Sequence, residues 1–274
     1  MTILNSIAKR ILKTLHHYSH ALEIRSDLSL EYLRLRSANP SYPRKLLKKI
    51  WAQPQNMEDI IQLSRFMDVD HQILLLDVGA NTGYWAQAFV DVFRRTNMFA
   101  FEPDRRAAEL YKQRFSESND SKLFDYALSD RSGAASLQLA KTTTFSSLEG
   151  YVEDRGGGIV GSIEVAIKRL DDIEIDFSGV DKVFLKIDVQ GHELEVINGA
   201  QDTLKYVDII LLELSFAPEY VGKNPAFSAV TSQLLQSGHY PIIFQNYGRD
   251  RSPFAVQRDV IFVKEDLLCN IYGW

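Results

Sequence analysis

Leu74-Leu75-Leu76-Asp77-Val78-Gly79-Ala80-Asn81-Thr82-Gly83 runs from an aliphatic segment through an acid into a glycine-bearing turn, and helical spacing begins directly after it. A strand that feeds a turn and then a helix is the opening unit of a parallel α/β sheet. Gly79 and Gly83 remove side chains where backbone approaches a ligand, and the start of the helix aims unpaired N–H groups at a polar or anionic part of it. Working outward, Ile73–Asp77, Asn97–Phe101 and Lys122–Tyr126 read as strands, with helices over Tyr84–Phe93 and Asp104–Phe115 between them. That is βαβαβ, which requires parallel strands with right-handed crossovers. Val183–Ile187 and Ile209–Leu214 read as two further buried strands joined through a helix near 192–204. A helix at 226–237 and strands at 240–244 and 260–264 complete a count of seven.

The turn discriminates between ligands. A dinucleotide site wants GxGxxG, whereas Gly79-Ala80-Asn81-Thr82-Gly83 lacks the middle glycine that lets a pyrophosphate approach. Glu102 in Phe99-Ala100-Phe101-Glu102-Pro103 stands at the end of the second strand, 25 residues after Asp77. A carboxylate there can accept both hydroxyl protons of an adenosine ribose. At the third strand end Asp125 is placed to receive an adenine amine and Ala127 to offer backbone, although a surface acid and a buried alanine explain the same letters. The expected cofactor set is Asp77, Gly79, Asn81, Gly83, Glu102, Asp125 and Ala127.

Composition limits the rest. With 274 residues, 45% hydrophobic and 24% charged, the chain can bury one substantial core and a small second unit. A lone Cys269 rules out a disulfide framework or a thiolate zinc cluster within one chain and suits a reducing compartment, so the expected location is cytoplasmic. Residues 1–50 hold ten Lys/Arg and three Asp/Glu; with −5 overall, the remainder carries −12. An acidic domain argues against a nucleic-acid substrate. No stretch has the roughly 18 to 20 apolar residues of a membrane span.

Five ordered motifs resemble the FkbM-type S-adenosylmethionine-dependent methyltransferases over about residues 73–264: Asp77 to Gly83, Phe101-Glu102-Pro103, Ala127-Leu128-Ser129-Asp130 with Gly133, Lys168-Arg169-Leu170-Asp171-Asp172, and Lys186-Ile187-Asp188-Val189-Gln190-Gly191-His192-Glu193 with Gly199-Ala200. The resemblance implies a class I methyltransferase Rossmann-like fold, a mostly parallel sheet ordered 3-2-1-4-5-7-6, and S-adenosylmethionine as cofactor. It also implies O-methylation of a sugar, a glycan or a small natural product, with N-methylation or a catalytically silent assembly subunit as alternatives. The commoner family motif has Glu where this chain has Gln190, and the 142–158 loop and the N-terminal helices fall outside the shared core.

Methyl transfer to oxygen needs an oriented hydroxyl and a base. Lys186 and Asp188 share one face of the fourth strand at its carboxyl end, where a doubly wound sheet opens its crevice. Asp188 reads as base or hydroxyl clamp and Lys186 as its orienting partner, with a structural ion pair as the alternative. Glu193 can reach the rim of the same pocket. Glu213 ends the fifth strand as a hydroxyl acceptor, and His192 reads either as a second base or as a solvent contact at a helix start. Asp188, Glu213 and Asp259 could converge as a hard oxygen site for a metal, but no spacing demands one, so none is expected. Gln245, Asn246, Tyr247 and Arg249 suit a polyol or an anionic substrate, and equally an exposed loop.

Residues 1–70 read as a helical appendage and 71–274 as the cofactor-binding domain, with 140–160 a mobile loop over the site. Ile3, Leu4, Ile7, Ile11, Leu12 and Leu15 fall at helical spacing. An amphipathic helix over residues 1–16 is expected either to touch an anionic membrane or to pack on its own domain or a second subunit.

Overall fold

A computed structural model describes residues 27–43, 54–151, 158–223, 226–244 and 257–272. The amphipathic segment 1–16, the helical piece expected at 44–51, and Gln245, Asn246, Tyr247 and Arg249 lie outside them. Helices over 27–38 (α1) and Pro54–Leu63 (α2) precede β1 (Ile73–Val78), α3 (Tyr84–Val90), β2 (Thr96–Phe101), α4 (Arg105–Arg114) and β3 (Ser121–Phe124). Three strands then form a separate unit: β4 (Ala127–Leu128), β5 (Gly133–Ala140) and β6 (Ile159–Lys168). The main sheet resumes with β7 (Lys182–Ile187), α5 (Glu193–Asn198), β8 (Ile209–Ser215), α6 (Ala226–Gln236), β9 (His239–Phe244) and β10 (Gln257–Lys264), and the chain continues into α7 (Glu265–Tyr272).

All six residues of β1 are buried because both faces of the sheet are covered. The sheet is mixed, in the order β3-β2-β1-β7-β8-β10-β9, with β10 antiparallel to β8 and β9 and the other pairs parallel. The order reverses between β1 and β7, so their carboxyl ends diverge into a crevice. On one face Leu28, Tyr32, Met57, Ile60 and Ile61 share a core with Ile73, Leu75, Phe89, Phe184, Leu211 and Ile261. The described part of the N-terminal helices thus packs on the sheet. Each such side chain contributes on the order of 2 kcal/mol by leaving water. The other face packs Leu74, Leu76, Leu185, Leu212 and Phe262 against Val196 and Val230. Among the described residues no helix is long and apolar enough to cross a membrane.

Two expectations change. Between β3 and β7, where none of the seven expected strands falls, stands a three-stranded sheet in which β6 pairs antiparallel with β5 and parallel with β4. Only Val165 and Ile167 of β6 are buried. The helix near 192–204 stops at Asn198; the chain turns and re-forms as a short 3-10 turn at Thr203–Lys205, whose N–H groups are collected by Asp171, with Asp202 and Thr203 both donating to Oδ1.

The break has a steric basis. A Cβ on Gly199 would lie 1.9 Å from the carbonyl oxygen of Ser129, which presses the end of α5 against β4. Gly199→Ala is expected to cost about 2 kcal/mol of stability in urea denaturation, on the scale of overpacking. Gly161→Ala, where nothing lies within 4 Å, should stay within about 0.5 kcal/mol of wild type.

Candidate cofactor cleft and carboxylate row

β1 ends in a turn built from left-handed residues: Gly79 at φ 76°, Asn81 at 47° and Gly83 at 75°. The glycines are required by the protein's own packing. A Cβ at Gly79 would stand 1.9 Å from the Asp188 carbonyl oxygen, and one at Gly83 would meet the rings of Tyr111 and Phe115 at 2.8 Å. The N–H groups of the turn are not presented to a ligand. Gly79 and Ala80 donate to Phe101 O, Asn81 to Glu102 Oε2, Thr82 to Asn81 Oδ1, and Gly83 to Ala80 O. A pyrophosphate would find no cradle among residues 79–83, whereas a ligand that carries an adenosine and no phosphate loses nothing.

Glu102 lines the cleft that opens beside this turn, together with Val78, Gly79, Asn81, Ala127, Leu128 and Leu137. Its carboxylate accepts Asn81 N and Asp104 N, each at 2.8 Å, one on each oxygen. Each oxygen keeps acceptor capacity, as a ribose diol requires. Burial pushes the Glu102 carboxyl up to about 7 against the pull of those two N–H groups. Ala127 lines the cleft; Asp125 does not. β3 ends at Phe124, the chain bends, and Phe124 and Tyr126 turn inward to pack on Phe101 with ring centroids 5.0 and 5.9 Å away, which leaves Asp125 exposed.

A row of charges crosses the sheet beside the cleft. The core residues Leu75, Phe184, Leu211 and Ile261 are each two positions from Asp77, Lys186, Glu213 and Asp259, so the period of two puts these four on one face, with Asp188 following Lys186. Asp77 and Lys186 are partners in the β1–β7 register, as Glu213 and Asp259 are in β8–β10. Lys186 Nζ lies 3.4 Å from Asp77 Oδ1 and 3.6 Å from Asp188 Oδ2. Against burial, which works to strip its proton, Asp77 and Asp188 hold Lys186 above the usual lysine range. Asp77 sits behind the turn, paired to Lys186, and does not line the cleft. The side chain of Asp188 is 42% exposed and does line it.

Gln190, to which sequence reasoning gave no role, stands at φ 56°. Its Nε2 donates to Asp188 Oδ1 at 2.9 Å and to Glu213 Oε2 at 2.7 Å. Glu213 is pushed well above the usual carboxylate range by burial and by Asp188, Asp259 and Glu193. Glu193 does not reach the rim; it folds back to accept Gly191 N, and burial raises it to about 7. His192 lines the cleft, but both ring nitrogens are engaged, Nδ1 with Glu149 at 2.6 Å and Nε2 with Ser129 Oγ at 2.9 Å, so it has no free nitrogen for an acceptor. Glu149, His192 and Glu195 bring ligand atoms within 4.8 Å of one another. The Lys223 ammonium already sits among them, 2.7 Å from Glu149 and 2.8 Å from Glu195, and offsets part of their negative charge.

The described part of the expected mobile loop is a hydrogen-bonded roof. Thr143 Oγ1 donates to Asn81 Oδ1, Ser146 Oγ to Asp104 Oδ2, Ser147 Oγ to the Gln190 carbonyl and Tyr151 OH to Gln190 Oε1. Arg106 donates to Ala140 O from below. Thr143, Ser146 and Leu148 line the cleft from above. Residues 152–157 lie outside the described ones.

The chain thus combines a sheet that reverses order at β1 and β7 with a glycine turn whose N–H groups are satisfied internally and a buried glutamate at the end of β2. Residues 77–242 match the model of the methyltransferase FkbM domain, and the chain belongs to that family. It is an S-adenosylmethionine-dependent methyltransferase. It is 30% identical over 165 residues to the 2-O-methyltransferase NoeI of Sinorhizobium fredii, covering 56% of this chain and 67% of that protein. It is 29% identical over 164 residues to the hexuronic acid methyltransferase AglP of Haloferax volcanii, covering 57% of this chain and 62% of that one. A looser likeness links it to fibrillarin of Aeropyrum pernix with natively bound S-adenosyl-L-methionine, at a TM-score of 0.42 and 11% identity over 72% of this chain and 69% of that one.

Among the described residues neither Asp77 oxygen has another hydrogen-bond partner, and Lys186 is its counter-charge. Lys186→Met should cost about 3 kcal/mol or more in thermal or urea denaturation, the scale for one half of a broken buried pair. Adding Asp77→Leu should recover most of that loss; a double variant no more stable than the single would remove the pairing argument.

Proposed function

We propose that the protein methylates a hydroxyl of a sugar or of a glycan, with Glu102 holding the donor's ribose and Asp188 receiving the acceptor's proton. The observation that carries this reading is that Asp188 opens into the cleft that Glu102 lines, while its neighbours Asp77, Lys186, Glu193 and Glu213 are buried or half-buried behind it. The two relatives named for methylation of a 2-O position and of a hexuronic acid support a carbohydrate acceptor.

S-adenosylmethionine, when bound, supplies an electrophilic methyl group on a sulfonium. The chain's own residues do the rest. Gly79, Asn81 and Ala127 shape the nucleoside cleft, and Glu102 accepts from the ribose hydroxyls on its two remaining acceptor positions. The roof residues Thr143 to Leu148 exclude water from above. Asp188 would accept a hydrogen bond from the acceptor hydroxyl and take its proton as that oxygen is methylated. Lys186, fixed behind Asp188, orients that carboxylate.

Asp188→Asn should slow single-turnover transfer to an accepting glycoside about a hundredfold, the scale of a general base, with the S-adenosylmethionine Kd unchanged. A rate near wild type would remove Asp188 from the reaction. Ribose hydroxyls donate to the ionised form of Glu102, which in the free protein is reached only above about 7. Affinity for S-adenosylhomocysteine should therefore level off above that pH and fall by up to about tenfold per unit below it. In Glu102→Gln the slope should vanish and binding weaken by about 1 to 3 kcal/mol; calorimetry from pH 5.5 to 8.5 reads both.

A further inference from the structure

We propose that Gln190 is a positioning residue whose side-chain amide joins Asp188 and Glu213 into one carboxyl pair that shares a single proton, and that Tyr151 of the roof locks the amide in place. The proposal rests on the reading that Asp188 serves the acceptor, and it adds what holds that carboxylate ready.

A primary amide has two N–H donors and one acceptor oxygen, and all are used here in the one orientation the partners allow. Nε2 reaches a carboxyl oxygen of Asp188 at 2.9 Å and of Glu213 at 2.7 Å, while Oε1 accepts the Tyr151 hydroxyl at 2.9 Å. The ionised Asp188 carboxylate cannot donate, so an amide turned round would lose its bond to Asp188. The backbone commits to this placement, since Gln190 occupies a left-handed conformation that side-chain-bearing residues rarely adopt. Ser147 holds its carbonyl from the roof as well.

The two carboxyls it joins differ in surroundings. Glu213 is enclosed, faces Asp188, Asp259 and Glu193, and is pushed upward by burial first and by those acids second. Asp188 is open to the cleft on one side and has the Lys186 ammonium on the other. Two adjacent carboxyls cannot both ionise cheaply in such a place, so one proton stays on the pair and resides on Glu213. Asp188 is left as the acceptor's proton sink, with the proton on Glu213 and the N–H of Gln190 stabilising its negative charge. Tyr151 belongs to the roof, so the amide is locked when residues 143–151 cover the cleft.

Infrared difference spectroscopy on the full chain without any acceptor tests the pair directly. Wild type minus Glu213→Gln at pH 7 should show a protonated-carboxyl carbonyl band that titrates away only at higher pH. In Gln190→Met, which keeps the size and removes both donors, the midpoint of that band should rise by about one unit or more, because an N–H that favours the ionised form is gone. Tyr151→Phe removes only the lock and should raise it by less; it serves as the reading if Gln190→Met does not fold. With an accepting glycoside, the acid limb of the methyl-transfer pH profile, set by uptake of a second proton onto the pair, should also rise in Gln190→Met while the S-adenosylmethionine KM stays constant. Absence of the protonated band in wild type, or a midpoint unmoved in Gln190→Met and Tyr151→Phe alike, would overturn the proposal. The spectra need neither donor nor acceptor, so a protein that failed to methylate any sugar would sink the functional reading and leave the carboxyl pair standing.

Discussion

Lys186 is an ammonium group placed where water cannot hydrate it, and the carboxyl edge of the sheet is organised around that fact. Several kcal/mol are lost when such a charge is buried, and the loss is offset only if counter-charges stand close and stay ionised. β1 supplies one through Asp77, in register across the strand pair, and the end of Lys186's own strand, β7, supplies the other through Asp188. The face of Trp85, 5.6 Å away, adds a weaker electrostatic contact. Because β1 and β7 are the strands at which the sheet reverses order, the ion pair fastens the crevice at the point where ligands enter. The position of Asp188 in the cleft is a by-product of that fastening, and so is the crowding of acids that raises Glu213.

The second organising element is the roof. Its residues are half-buried or exposed apart from Ser147, so little apolar burial holds it down. What holds it is a set of hydroxyl, carboxylate and ammonium contacts, each worth about 1 kcal/mol net when made to a neutral partner. The partners are distributed over the glycine turn, the start of α4 and the β7–α5 turn. A cover attached in this way senses all three walls of the cleft at once.

The parts of this arrangement that were legible in the sequence are those encoded locally. A continuous aliphatic run announces β1, and a carboxylate two residues before a helix cap announces Glu102, because both signals lie within a few residues. Lys186 and Asp188 could be placed on one face from the period of two alone. The three-stranded unit escaped because β4 has only two residues and β5 and β6 bury few side chains. Asp125 was misplaced by a bend that ends β3 one residue before it. Gln190 had no visible role because that role needs a left-handed backbone and a cross-strand partner 23 residues away. His192 and Glu193 were read as site groups from proximity, whereas Glu149, Gly191 and Ser129 occupy them.

The contact between Gly79 and the Asp188 carbonyl has a further meaning for how the protein can vary. Backbone from the β1–α3 turn and backbone from the β7–α5 turn touch with no atom to spare. The two turns behave as one rigid jaw, and a change that reshapes either displaces the other. Substitutions that alter acceptor choice are therefore excluded from this junction unless both turns change together. Diversification is left to segments that meet the cleft through side chains alone, such as the roof, where a hydroxyl can be exchanged without moving the jaw.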